Sequence, residues 1–152
     1  MDAIYPGSIN TYRIVTINKD EKSYLFSSIL RIGTSTSGNV DNWAAGGLAI
    51  GIDHQSGYLK QFGFYKPKYG GKVAKHPDTD VEFAKTKAPC YEEAVELALK
   101  ASRCFYNIRA IGWDIAITED GPIIIEGNDN WEISLMQACD GPLRKKWLEA
   151  IK

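Results

Sequence analysis

The stretch GWDIAITEDGPIIIEGN, residues 112–128, constrains the fold more than any other part of the chain. It is two apolar runs rich in isoleucine on either side of a turn, the pattern of a β-hairpin. Glu119-Asp120-Gly121 suits a three-residue connection, a type I turn followed by glycine in the left-handed region, which pairs Thr118 with Pro122. Counting back from that pair sets Asp114 opposite Glu126 and Gly112 opposite Asn128. Opposed side chains have Cβ atoms about 4.5–5.5 Å apart, and like charges in that position are destabilising. A slip of one residue would turn both carboxylates to the other face.

The rest of the chain predicts what this hairpin joins. NTYRIVTIN and SYLFSSILRIG, separated by the polar KDEK, form a second antiparallel hairpin, and GGLAIGID with GYLKQFGFY forms a third around HQS. Between them GTSTSGNVDNWAA is too polar to be buried and too long for a tight turn, so it is read as a functional loop. Tyr65 to Pro89 shows no clear period and is expected to be irregular. From Tyr91 to Phe105 the period changes, with Ala94, Val95, Ala98, Ala101 and Phe105 at helical spacing and charges on the other faces. After the 112–128 hairpin come a loop through GNDNWE and a helix from about Pro142 to Ile151, with proline at its start. Strands, helix, strands, helix is an α+β order, an antiparallel sheet with helices packed on one face.

Chemistry is concentrated on one face of this sheet. Ala110, Gly112 and Ala116 flank Asp114 and are expected to leave open space above it. Two carboxylates side by side suit magnesium, which takes one or two protein carboxylates and completes its shell with water and phosphate oxygens. The residues alone are equally compatible with a solvated sheet edge or a carboxyl holding a proton. Without a cation the pair should repel, so Asp114→Asn is expected to leave the apo fold as stable as before or slightly more so. Arg13 shares a face with Ile9, Val15 and Ile17, and Arg31 with Leu25 and Ile29. Guanidinium groups on such faces match phosphate or carboxylate, although snorkelling from sheet ends accounts for them as well.

Composition narrows the class. With 152 residues and 44% hydrophobic content, one domain with a real core is expected. A formal net charge of −1 gives no steering toward nucleic acid or an anionic membrane. Cys90, Cys104 and Cys139 form no CxxC pair, which points to a reducing, cytoplasmic compartment rather than a disulfide framework or zinc site. No apolar run approaches the roughly 20 residues of a membrane span.

GWDIAITEDGPIIIEGN resembles the metal-binding end of the ATP-grasp superfamily, and SINTYRIVTI, LRIGTSTSGNVDNWAAGG and HPDTD precede it in the order found in its sugar-transfer-associated, glutamate-ligase-like branch. The resemblance covers nearly the whole chain. It implies ATP and Mg²⁺ as cofactors, with Asp114, Glu126 and Asn128 as metal ligands. It implies that Arg13 and Arg31 face the phosphates or an acyl phosphate. It sets Asn42, Gly46 and Gly47 in a loop near the triphosphate, where glycine permits close approach. His76 lies in HPDTD with no role that chemistry requires, a surface loop histidine being at least as good an account, and His54 is expected to be exposed.

The resemblance also implies a reaction, ATP-dependent activation of a small carboxylate to an acyl phosphate followed by attack of an amine. A polysaccharide biosynthesis context comes only from the branch name. Phosphate-binding lysines and the adenine hinge normally lie upstream of SINTYR, and neither a P-loop nor a Rossmann motif replaces them. Residues 1–152 are therefore expected to be a single domain, the C-terminal catalytic lobe of an ATP-grasp enzyme, with the N-terminal lobe as its missing partner and no activity alone. Two other classes are a noncatalytic nucleotide- or partner-binding module and a metal-dependent phosphate-ester hydrolase. The hydrolase is short of histidine and carboxylate ligands.

Overall fold

The computed structural model describes Met1 and residues 3–152. Seven strands form one antiparallel sheet: β1 (Thr11–Lys19), β2 (Lys22–Ile32), β3 (Leu48–Ile52), β4 (Leu59–Phe64), β5 (Lys72–Val73), β6 (Ala110–Thr118) and β7 (Gly121–Asn128). Their spatial order is β5-β4-β3-β2-β1-β6-β7. The expected α+β layer with an antiparallel sheet is present, and all three expected hairpins form. At the β1–β2 turn Asp20 and Glu21 both have positive φ, 51° and 59°. Glu21→Gly is therefore expected to stabilise the protein by about 0.5–1 kcal/mol in urea unfolding, since an L-residue pays for that conformation and glycine does not.

Three helices divide between the two faces rather than sharing one. Helix α1 (Tyr91–Arg103) covers one face, with Tyr91, Ala94 and Ala98 packed on Tyr12, Ile14, Leu30 and Ile50. Helices α2 (Ile133–Asp140) and α3 (Arg144–Ala150) serve the other, where Leu135, Met136 and Leu143 meet Val15, Ile17, Phe26 and Ile29. The reason lies in β1. Its residues are buried on both faces, so apolar cover is required on each side. Phe105, counted with the apolar face of α1, lies beyond the helix end and is 51% exposed.

Of the three register shifts in the sheet, two bear on the arginine face. In β2, Val15 pairs with Ser27 and Thr16 with Leu25, leaving Phe26 extra. That reverses the alternation, so Leu25 packs with the α1 cluster and not on the Arg31 face. In the β6–β7 hairpin Thr118 pairs with Gly121, one residue tighter than the turn chemistry suggests, although Gly121 does have φ 110°. Ile125 then bulges out, and Asp114 returns to the position opposite Glu126.

Candidate functional site

Asp114 sits between two guanidinium groups. Cross-strand pairing sets Glu126 (β7), Asp114 (β6) and Arg13 (β1) in one row, with Ala116, Thr11 and Arg31 (β2) in the next. Arg13 Nε donates to Asp114 Oδ1 and its Nη2 to Oδ2 at 3.0 Å. Arg31 Nη1 also donates to Asp114 Oδ2, at 2.9 Å, and its Nη2 to Asp41 Oδ1 at 2.8 Å. The Thr11 hydroxyl donates to the other oxygen of Asp41. Asp114 is only 5% exposed, so these are charge-assisted bonds in a largely desolvated site.

The electrostatics follow from that geometry. Burial pushes the Asp114 carboxyl toward its protonated form. The Arg13 hydrogen bond and the charges of Arg31 and Arg13 outweigh burial, and its pKa falls below the usual carboxylate range. For Arg31, burial disfavours the charge, but Asp41 and Asp114 more than offset it and the pKa rises. Arg31 Nε is buried and meets no hydrogen-bond partner among the described residues. An unpaired donor of this kind is costly.

The space expected above Asp114 is filled. A Cβ on Gly112 would lie 2.6 Å from Trp131 Cβ and 3.4 Å from Arg13 Cδ. The small residues of β6 therefore make room for the arginine and Trp131, not for a void. Glu126 is exposed at the sheet edge, and Asn128 Nδ2 donates to its Oε1 at 2.9 Å. The three expected metal ligands thus share one sheet face, with Asp114 already engaged by arginines. No group of three His, Cys, Asp or Glu side chains gathers tightly enough to hold a metal among the described residues. Two carboxylates and an amide oxygen still suit magnesium in kind. In such a set Glu126 would give up its bond from Asn128, and Asp114 would exchange a guanidinium contact.

The loop expected near the triphosphate is shaped by its own needs. Asn42 caps a short 3₁₀ turn (Trp43–Ala45), accepting from Ala44 N at 2.8 Å. Gly46 has φ 104°, and a Cβ on Gly47 would stand 2.7 Å from Asp41 O and 3.0 Å from Ile32 O. Both glycines are required by the turn itself, which brings Asp41 onto Arg31.

The sequence model of the sugar-transfer associated ATP-grasp family matches residues 1–152. The chain belongs to that family. No curated protein and no solved structure matches it. Membership makes this ATP-grasp chain an ATP-binding, ligase-like module.

Two features of the ATP-grasp chain depart from the sequence expectations. His76 is fully buried rather than a surface loop residue: its Nε2 donates to Gly33 O at 2.8 Å, and its ring stacks on Tyr5. His54 is exposed, as expected. Asp41 and Thr11 were not among the expected site residues. The usable signal was charge, since two arginines on apolar strand faces require more than one carboxylate, and Asp41 is the acid in the loop that follows β2.

Proposed function

We propose that this chain supplies the phosphate- and magnesium-facing wall of an ATP-dependent carboxylate–amine ligase working through an acyl phosphate. One observation supports this most: two guanidinium groups converge on buried Asp114, beside exposed Glu126 and half-buried Asn128. Phosphoryl transfer asks a protein mainly for positioning and charge neutralisation. Arg13 and Arg31 provide planar donors for phosphate or acyl-phosphate oxygens, and Asp41 and Thr11 hold Arg31 in place. Magnesium held by Asp114, Glu126 and Asn128 would neutralise and orient phosphate oxygens. Asn42, Gly46 and Gly47 keep the loop close enough for its backbone to approach the triphosphate. Substrates are a small carboxylate and an amine, in a sugar-transfer setting.

One sheet provides one wall of a nucleotide clamp, with an opposing lobe as its partner. The 152-residue chain is therefore expected to bind Mg·ATP yet release no ADP at a useful rate. Calorimetry tests the site: Glu126→Gln should weaken magnesium-dependent ATP binding by about tenfold, or 1.4 kcal/mol. Equal ATP affinity with and without magnesium, in both proteins, would remove the metal assignment. Binding without turnover when the opposing lobe is supplied would favour a noncatalytic nucleotide-binding module.

No helix is long and apolar enough to cross a membrane among the described residues.

A further inference from the structure

Trp131 stands beside the arginine cluster, in space that a glycine leaves for it. Cross-strand pairing sets Asn128 (β7), Gly112 (β6) and Val15 (β1) in one row, next along the same sheet face to the row of Glu126, Asp114 and Arg13. Such rows lie about 7 Å apart, two residues along a strand. β7 ends at Asn128, and the chain then turns back over Gly112, the residue opposite that strand end. A Cβ at Gly112 would meet Trp131 Cβ at 2.6 Å and Cγ at 3.2 Å, with Arg13 Cδ at 3.4 Å. Trp131 and the stem of Arg13 therefore share the space of the missing side chain.

Aromatic rings hold the other side of Trp131. Its ring centroid lies 6.0 Å from that of Phe26 and 5.9 Å from that of Trp147, and Phe26 meets Trp147 edge-on at 5.6 Å. These are separations at which aromatic pairs attract. Phe26 is the extra residue of the β2 bulge and Trp147 belongs to α3, so the bulge and the last helix both bear on Trp131. Arg13 has need of a firm neighbour. Its one ion-pair partner among the described residues is Asp114, and both are buried. A two-pronged guanidinium–carboxylate contact is strong only while its planes stay aligned and water stays out.

We propose that Trp131 is a positioning residue of the nucleotide site: wedged between Gly112 and the rings of Phe26 and Trp147, it sets Arg13 on Asp114 and fixes the Asn128 end of β7. The assignment rests on the reading of Arg13, Glu126 and Asn128 as contacts to phosphate and magnesium. β7 is the outer strand and pairs on one side only, so its metal-facing end needs an anchor from outside the sheet. Two residues separate Trp131 from Asn128, too short a tether for one to shift without the other. Helix α3 thereby supports the site from behind.

Two readouts on the 152-residue chain test this, calorimetric titration with ATP at several magnesium concentrations and solvent exchange of the Arg13 Nε–H followed by NMR. Trp131→Ala should weaken magnesium-dependent ATP binding by about tenfold and speed the Arg13 exchange by about tenfold. Trp131→Phe, which restores a ring, should bind within about threefold of wild type. Gly112→Ala, whose new Cβ must displace Trp131, should match Trp131→Ala. Leu59→Ala, a core truncation in the α1 cluster on the opposite face, should lower the unfolding temperature yet leave both readouts unchanged. If Trp131→Ala does not fold, Trp147→Ala removes the ring behind it and should cost about threefold in ATP affinity. Wild-type binding with equal affinity and equal Arg13 protection in the Trp131 and Trp147 variants would overturn the assignment alone, as would an equal loss in Leu59→Ala. A wild-type chain with no magnesium-dependent ATP affinity would overturn the nucleotide reading and the assignment together.

Discussion

Asp114→Asn is expected to lower the free energy of unfolding by about 2–4 kcal/mol, because it leaves two largely buried guanidinium groups without their shared counter-charge. The hairpin alone suggests the opposite, since a carboxylate facing Glu126 across a strand pair should gain from losing its charge. Arg13 and Arg31 reverse the sign: three donor atoms converge on the Asp114 carboxylate, and only Arg31 has a second acid, Asp41, to turn to. Asparagine keeps the shape and one acceptor oxygen but presents an NH₂ group to one of the guanidiniums. Glu126→Gln is the control, since Glu126 is exposed and its loss should cost less than about 0.5 kcal/mol. Equal urea midpoints for wild type and Asp114→Asn would show that the arginines find other partners.

The same cluster sets a direction for pH. A carboxyl whose folded pKa is lowered binds fewer protons in the native state than in the unfolded chain, so its contribution is present above the unfolded value and lost as pH falls through the folded one. Asp114 and Asp78 are both lowered, Asp114 by the arginines against burial and Asp78 chiefly by the Ser35 hydroxyl. Stability should accordingly be flat above about pH 5 and decline below about pH 4, the ordinary aspartate range. Asp114→Asn should flatten that acid limb, and an unchanged limb would mean that the arginine contacts do not persist in solution.

Legibility followed the locality of the signal. The three hairpins were readable because turn residues and β-branched runs act within a few positions. Asp114 faces Glu126 as counted, but through two departures that cancel, a tighter turn and a bulge at Ile125. Pro122 helps explain the first, since it has no N–H to give to the wider pairing. Helix α2 escaped notice because ISLMQACD is short and its N-cap residue, Glu132, makes no side-chain capping bond. Its burial comes from tertiary contacts of Leu135 and Met136 with the sheet, which periodicity over eight residues does not reveal. The arginines were found as candidate anion ligands, yet one present partner, Asp41, depends on how a fifteen-residue loop returns to the sheet, and the other, Asp114, on β1 pairing with the distant β6.

His76 depends on that loop too. His76→Ala is expected to cost about 2–4 kcal/mol, combining an internal cavity with loss of two hydrogen bonds from a buried ring. Its Nε2 donates to Gly33 O, and Nδ1 accepts from Asp78 N at 3.3 Å, which fixes the neutral ring in one tautomer. Two residues on, Asp78 accepts from Ser35 N at 2.9 Å and from Ser35 Oγ at 2.6 Å. Residues 76–78 therefore hold both Gly33 and Ser35, the start of the loop that carries Asp41 to Arg31. A staple of this kind makes a second claim beyond stability. In His76→Ala the loop amides bonded within residues 34–47, Ser37 N to Thr34 O and Gly47 N to Asn42 O, should exchange with solvent faster than those of β1, whose protection reports global unfolding. Magnesium-dependent ATP binding should weaken along with them, since Arg31 loses the support of Asp41. If His76→Ala keeps its stability and loop protection while ATP binding collapses, His76 acts on the ligand directly and the staple account fails.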